Sequence, residues 1–164
     1  MTHIVVGVDG SPHSRRALLR AAAEAKLRGG TVDAVLVYPP VRRSISDDLI
    51  GLPLGVAASM GTIDPEDRTQ HDLSREREAQ VQAEAQLERF VAEVIDETGV
   101  VPNRIAIAAD HPAEALIDQT ASADLLVIGT RGLGGFAGML LGSVAHQCVQ
   151  RSHCPLLILP PEED

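Results

Sequence analysis

The chain has 164 residues, of which 45% are hydrophobic and 23% are charged, a composition typical of one soluble globular domain with its own core. Aromatic residues make up only 2%, so the core must be aliphatic and the stacking platforms that bind single-stranded nucleic acid are missing. The formal net charge of -9 repels nucleic acid and anionic lipid, although local amides can still bind a small phosphate ligand.

The cysteines and the N-terminal sequence bear on the cellular compartment in which the protein is expected. Cys148 and Cys154 lack C-x-x-C spacing, and no Cys/His cluster has zinc-ligand spacing, so two reduced thiols are expected. The opening MTHIVVGVDGSPHSRR is not a signal peptide, and no apolar stretch approaches the length of a bilayer span. We therefore expect a cytoplasmic protein without a membrane partner.

The first predicted element is a buried strand at 4–8 (IVVGV), followed by a turn cluster at 9–12 (DGSP). Ser11 or Ser14 can cap the helix that comes next, which has a small, alanine-rich face at helical spacing. The Gly-Gly pair at 29–30 ends this helix.

A second strand is predicted at 32–38, and it ends at a Pro-Pro pair because proline cannot continue the ladder. The segment at about 39–70 contains glycines and prolines without a sustained period. It is interpreted as a long irregular insert, either an ordered flap on the protein's own surface or a partner-binding segment. A long helix with one apolar stripe and a charged, solvated face is expected at 71–98.

The remaining elements alternate in the same way. They are a strand at 105–109, a short helix beginning at 110–112, a strand at 125–129, a helix at 144–151 and a strand at 156–159. This alternation predicts an α/β fold: a doubly wound, five-stranded parallel sheet in the order 3-2-1-4-5, with helices on both faces. In that order the winding reverses between strands one and four, and ligands bind at such a switch point.

The glycine-rich stretch at 129–143 (GTRGLGGFAGMLLGS) follows a predicted strand and precedes a helix, a layout that binds phosphate. It is not a Walker loop, because the lysine is absent. Gly132, Gly134 and Ala137 spell the dinucleotide fingerprint G-x-G-x-x-A, with Glu162 as a candidate ribose-binding acid. Such glycines normally open the first βαβ unit rather than the last. From the glycines alone, a flexible turn is an equal alternative.

A longer pattern, G-x2-G-x9-G-[S/T], is formed by Gly129, Gly132, Gly142 and Ser143. Together with IVVGVDGS, ADLLVIGTRG, LLGSV and HCPLLIL in that order, it makes the chain resemble the universal stress protein family, in the subgroup that binds ATP. The resemblance covers nearly the whole chain. It implies a single domain at 1–164 with a Rossmann-like fold of the adenine nucleotide alpha hydrolase type, ATP as ligand and Mg²⁺ as an optional companion.

The resemblance also implies a role for each matching residue. Asp9 would contact the ribose or adenine region, apolar residues would line the adenine pocket, and amides with one arginine would hold the phosphates. The implied site residues are Gly7, Val8, Asp9, Gly10, Ser11, Val37, Ile128, Gly129, Arg131, Gly132, Gly142, Ser143 and Val144. From the residues alone, Asp9 can instead cap the first helix, Arg131 can be a solvated charge, and Ser143 is expected to be the N-cap of the last helix.

No acid pair, metal cluster or nucleophile–base constellation points to catalysis. We therefore expect a nucleotide-binding protein, with slow ATP hydrolysis at most, whose ligand orders the glycine loop and changes a surface read by other proteins. One alternative is a dimeric interaction module with a vestigial site, and another is an NAD-dependent enzyme. His146 and His153 are interpreted as surface or helix-end histidines rather than catalytic ones.

The last strand predicts self-association. Leu156, Leu157, Ile158 and Leu159 would form an apolar edge strand without a charge, and such edges pair with other chains. The resemblance likewise implies a homodimer through this strand.

Overall fold

The computed structural model describes residues 1–41, 65–133 and 140–160, with the backbone alone described for 65–71. Its centre is a five-stranded sheet in the order β3-β2-β1-β4-β5, in which every neighbouring pair is parallel. The strands are β1 (His3–Val8), β2 (Thr31–Tyr38), β3 (Asn103–Ala108), β4 (Leu125–Gly129) and β5 (Leu156–Leu159). The predicted α/β class and strand order are confirmed.

Four α-helices connect these strands. They are α1 (Pro12–Arg28), α2 (Pro65–Thr98), α3 (Pro112–Gln119) and α4 (Ser143–Arg151), and a 3-10 turn at Thr120–Ser122 follows α3. The predicted start of α2 at residue 71 is wrong, because the helix already begins at Pro65. The end of the expected irregular insert is therefore helical, and 42–64 lie outside the described residues. The single-domain organisation over 1–164 stays a prediction.

The helices cover both faces of the sheet, as predicted. Alternate residues of β1 point to opposite sides: Ile4 and Val6 join a core with α1 and α2, whereas Val5 joins a second core with α3 and α4. All three are at most 1% exposed. This double coverage explains why the strand is apolar without alternation.

Helix α1 begins and ends at the expected signals. Ser11 is the N-cap, and its hydroxyl accepts a hydrogen bond from the Ser14 amide at 3.2 Å. Gly29 ends the helix in the left-handed conformation, with φ of 62°, where a side chain would be strained. The N-cap is therefore Ser11 and not Asp9, which leaves the aspartate for another role.

Both cysteines are free thiols, as predicted. Cys148 is fully buried in the core formed with α3 and α4, and burial raises the pKa of its thiol to about 11, so it is unreactive at neutral pH. Within the described residues, we find no helix with the length and apolar character that crossing a bilayer requires.

Candidate functional site

A cleft of about 290 Å³ opens at the carboxyl edge of the sheet, where β1 and β4 end side by side. It lies at the predicted switch point, and the turn after β1 and the loop after β4 both line it. Its lining contains Gly7, Val8, Asp9, Ser14, Val35, Val37, Pro112, Leu116, Ile128, Gly129, Thr130, Arg131, Gly132, Leu133, Gly142, Ser143, Val144 and Ala145. The structure therefore brings together every predicted site residue except Gly10 and Ser11.

One wall of the cleft is apolar. Val37 of β2 and Ile128 of β4 contribute to it from the sheet, and Leu116 contributes from α3. Gly7 allows this arrangement, because a Cβ at that position would lie 2.9 Å from Leu116 Cδ1. The wall has the character of a surface that receives a flat, apolar ligand group.

Asp9 ends β1 and is held by several hydrogen bonds. Its Oδ1 accepts from the Ser11 amide at 3.0 Å, and its Oδ2 accepts from the Leu133 amide at 2.8 Å. Its own amide donates to the Ser14 hydroxyl at 3.3 Å. Burial raises the pKa of Asp9, but the hydrogen bonds from Ser11, Leu133 and Ser14 outweigh it and hold the pKa below the usual 3.8. The carboxylate is thus ionised at neutral pH.

Gly10 and Ser11 support the site from behind rather than lining it. Gly10 has φ of +85°, and a Cβ there would also lie 3.0 Å from Gln86 Nε2 of α2. Ser11 is buried and caps α1. Their part is to fix the turn that presents Asp9.

The end of β4 and the loop after it are packed closely against the turn after β1 and the start of α1. A Cβ on Gly129 would lie 2.9 Å from His13 Cβ, and a Cβ on Gly132 would overlap Asp9 Oδ2. Thr130 Oγ1 and Arg131 Nε are buried and have no hydrogen-bond partner among the described residues. Buried polar atoms of this kind usually find a partner, and both residues line the cleft.

The N-terminus of α4 forms the polar end of the cleft. Ser143 is the first helical residue, and the N-cap is Gly142, which has no side chain to cap the helix. The predicted Ser143 N-cap is therefore wrong. The Gly142 amide is also not free, because it donates to the Thr130 carbonyl at 2.7 Å. Ser143 and Val144 open the helix, where amides have no partner within the helix itself and the dipole favours an anion.

Gly142 is the one site glycine whose space and conformation leave room for a side chain. A Cβ there would lie 3.4 Å from the Thr130 carbonyl oxygen and 3.6 Å from Arg131 Cα, which are ordinary contacts. Its φ of -73° and ψ of 167° suit any residue. Packing therefore explains Gly7, Gly129 and Gly132, but it does not explain the glycine at 142.

Sequence reasoning missed part of the lining. Pro112 and Leu116 reach the cleft because α3 packs over Gly7, and Thr130 and Leu133 lie between predicted positions. Only tertiary packing could have identified the α3 residues, whereas Thr130 lies inside the motif. Gly134, Ala137 and Glu162 of the dinucleotide fingerprint lie outside the described residues.

No group of three or more His, Cys, Asp or Glu side chains in the described part of the chain is placed to hold a metal ion. His146 and His153 are both exposed, as predicted for surface histidines. The Nε2 atom of His146 lies 3.2 Å from Gln150 Nε2 one helical turn away. The charged residues that line the described cleft are Asp9 and Arg131.

The doubly wound parallel sheet with a cleft at its switch point places this chain among the Rossmann-like α/β proteins. The model of the Universal stress protein family matches residues 1–58 and 53–160. A universal stress protein of Thermus aquaticus is 32% identical over 158 residues, or 95% of this chain and 96% of that protein. This chain belongs to the universal stress protein family.

Other relatives are longer than this chain, and solved structures share its fold. A universal stress protein of Mycobacterium tuberculosis is 32% identical over 155 residues, 94% of this chain but only 44% of that protein. The chain thus spans about half the length of the mycobacterial relatives it matches.

A crystal structure of a universal stress protein in complex with cAMP has a TM-score of 0.63 at 24% identity, with 98% of each chain covered. One from Archaeoglobus fulgidus with dAMP has a TM-score of 0.59 at 23% identity, covering 96% of this chain and 97% of that one. At these identities the likeness establishes the fold.

Proposed function

We propose that this chain binds an adenine nucleotide, ATP, in the cleft at the carboxyl edge, and acts as a nucleotide-dependent regulatory protein of the cytoplasmic stress response. The observation that carries the proposal is the pairing of an apolar wall with a polar end in one cleft. Val37, Leu116 and Ile128 line the wall, and Arg131 and the first residues of α4 line the polar end. This polarity matches a nucleobase joined to phosphates.

Asp9 suits the sugar between these two ends. Its carboxylate oxygens already accept the Ser11 and Leu133 amides, but an ionised carboxylate has about four lone-pair sites. The lone pairs that remain would accept ribose hydroxyls, and the lowered pKa keeps the carboxylate oxygens as acceptors.

The phosphates would lie against the helix start. The amides of Ser143 and Val144 point out of the first turn of α4. Arg131 brings a cation to the same cleft, and its buried Nε has no hydrogen-bond partner in the described part of the chain. Mg²⁺ would then accompany the phosphate oxygens, with little contribution from protein carboxylates.

Two fold neighbours support the adenine part of this proposal, because one was crystallised with cAMP and another with dAMP. The choice of ATP rests on the motif of Gly129, Gly132, Gly142 and Ser143. The described cleft provides no lysine and no acid–base pair beside the phosphate end. We therefore propose hydrolysis that is slow at most, with the bound nucleotide acting through the shape of the loop.

Calorimetry with ATP, dAMP and NAD tests the proposal on the wild type, Gly142→Ala and Gly142→Val. Both variants lack a capping side chain, so they differ mainly in bulk beside the helix start. Losing one charge-assisted hydrogen bond costs about 1.5–3 kcal/mol, so Gly142→Val should bind ATP roughly 10- to 100-fold more weakly. Gly142→Ala should lose less.

Thermal unfolding without nucleotide serves as the folding control for both variants. A wild type that binds no adenine nucleotide would support a module with a vestigial site instead, and preferential NAD binding would support the dinucleotide alternative. Equal ATP affinity in all three proteins would contradict the proposal that the phosphates lie against the start of α4.

We also propose a homodimer formed through β5. This strand lies at the end of the sheet and pairs with β4 alone among the described strands. Its four residues are only partly buried, and none carries a charge. An apolar, uncharged edge of this kind presents free backbone groups to a second chain.

A further inference from the structure

His3 lies at the amino edge of the sheet, opposite the cleft, and bridges three segments. Its Nε2 lies 2.7 Å from Asp33 Oδ2 of β2, and its Nδ1 lies 3.1 Å from the Ser122 carbonyl oxygen in the 3-10 turn. The side chains of His3 and Asp33 are 29% and 15% exposed, so water competes only in part for these contacts.

Both ring contacts require the ring nitrogen to donate. A carboxylate and a backbone carbonyl are acceptors without a proton, so each of the two nitrogens must carry a hydrogen. A neutral imidazole has only one such hydrogen. The geometry at His3 is therefore that of an imidazolium cation.

The groups around the His3 ring are acidic or neutral, and their hydrogen bonds connect β1 with the segment before β4 and connect β2 with β3. The His3 amide donates to Asp124 Oδ2 at 2.8 Å, and the Asp124 amide donates back to the His3 carbonyl at 2.8 Å. Asn103 of β3 donates from Nδ2 to Asp33 Oδ1 at 2.7 Å. Among the described residues, Asp33 and Asp124 are thus the charged groups that act on His3 from the neighbouring elements.

We propose that His3 is a proton-dependent clasp for the amino edge of the sheet, closed when the ring is protonated and opened when it loses its proton. In the neutral ring, a nitrogen lone pair faces either the Asp33 carboxylate or the Ser122 carbonyl, and that contact becomes repulsive. The neutral ring can then keep only one of the two hydrogen bonds, so it no longer holds β2 and the 3-10 turn at the same time. Acidification therefore tightens this edge.

The pKa of His3 follows the same direction. The hydrogen bond to Asp33 raises it most, burial lowers it in part, and the Ser122 carbonyl and the charges of Asp33 and Asp124 raise it further, so it lies above 6.5. A folded-state pKa above the unfolded value stabilises the protein fully below about pH 6.5. That stabilisation is lost as the pH rises through the folded-state pKa.

NMR titration of the assigned His3 ring in the full chain tests the clasp directly. We expect a midpoint above 6.5 in the wild type, both ring nitrogens protonated at low pH, and a downward shift of the midpoint in Asp33→Asn. A His3 midpoint at or below 6.5, or one that Asp33→Asn leaves unchanged, would overturn the proposal.

Urea unfolding on both sides of the transition gives a second readout. His3→Gln keeps a polar side chain but cannot become a cation, so its stability deficit should be large at about pH 5.5 and smaller at about pH 8.5. His153→Gln, at an exposed histidine, is the matched control and should show no such change. A His3→Gln deficit that is independent of pH would contradict the clasp, and the wild-type titration decides the question if this variant does not fold. Neither experiment depends on nucleotide binding.

Discussion

Asp9 Oδ2 accepts a hydrogen bond from the Leu133 amide at 2.8 Å, although 124 positions separate the two residues in the chain. This contact joins the turn after β1 to the loop after β4. Gly132 makes it possible, because a Cβ at that position would overlap the same carboxylate oxygen. The aspartate is therefore part of the frame of the cleft as well as a candidate ligand for the sugar.

Asp9→Ala should weaken ATP binding more than it destabilises the fold. The variant removes the acceptor proposed for the ribose, and one hydrogen bond to a charged group is worth about 1.5–3 kcal/mol, or roughly a 10- to 100-fold loss of affinity. The cost to folding should be smaller, because Leu133 is 73% exposed and water can replace its contact, so that the Ser11 amide is the donor that loses a partly buried acceptor. Calorimetry and thermal unfolding measure the two effects, and a loss confined to stability would contradict the assignment.

Asp9 should also contribute to acid sensitivity. Burial raises its pKa, but the bonds from Ser11, Leu133 and Ser14 outweigh burial, so the folded-state pKa lies below 3.8. The stabilisation is therefore fully present above about pH 4 and is lost as the pH falls through the folded-state pKa. The stability difference between wild type and Asp9→Asn should shrink on acidification. A difference that is constant from neutral to acidic pH would show that the carboxylate charge is not involved.

Gly132→Ala should act through Asp9. Its new methyl group would displace the carboxylate or the loop, whereas a Cβ at position 142 meets nothing closer than 3.4 Å. We expect Gly132→Ala to reduce ATP affinity about as much as Asp9→Ala, and the two changes together to cost much less than their sum. A double-mutant cycle by calorimetry measures this coupling. Additive losses would mean that the two residues act separately.

Leu157→Glu should convert the proposed dimer into a monomer. The substitution places a charge in the edge strand β5, and such charges discourage pairing of edges. Leu27→Glu is a suitable control, because Leu27 is 81% exposed on α1 and the variant adds the same charge outside β5. Light scattering reports the mass of each protein. A Leu157→Glu dimer as stable as that of the wild type would place any interface elsewhere.

Most of the fold could be predicted because its signals are local. β1 has a dense aliphatic run bounded by turn residues, and Ser11 and Gly29 mark the ends of α1. The strand order follows from alternation of strands and helices together with right-handed crossovers. The start of α2 was missed because the glycines and prolines before it hid the signal at Pro65, a first-turn proline followed by acidic residues.

The site residues that belong to a sequence motif could be predicted, whereas those that tertiary packing brings to the cleft could not. The positions after β1 and β4 meet in the cleft because parallel strands end at the same edge of the sheet. Leu116 was missed, because its place depends on α3 lying over Gly7. The Ser143 N-cap was wrong because the choice between two consecutive residues depends on backbone conformation, and Gly142 has the extended one.

The central claim is that one cleft holds the base, the sugar and the phosphates of an adenine nucleotide. A crystal structure of the chain grown with ATP tests it most directly. We expect the base between Val37 and Leu116, a ribose hydroxyl on Asp9, and phosphate oxygens on the amides of Ser143 and Val144. A nucleotide bound elsewhere, or phosphates pointing away from the start of α4, would contradict it.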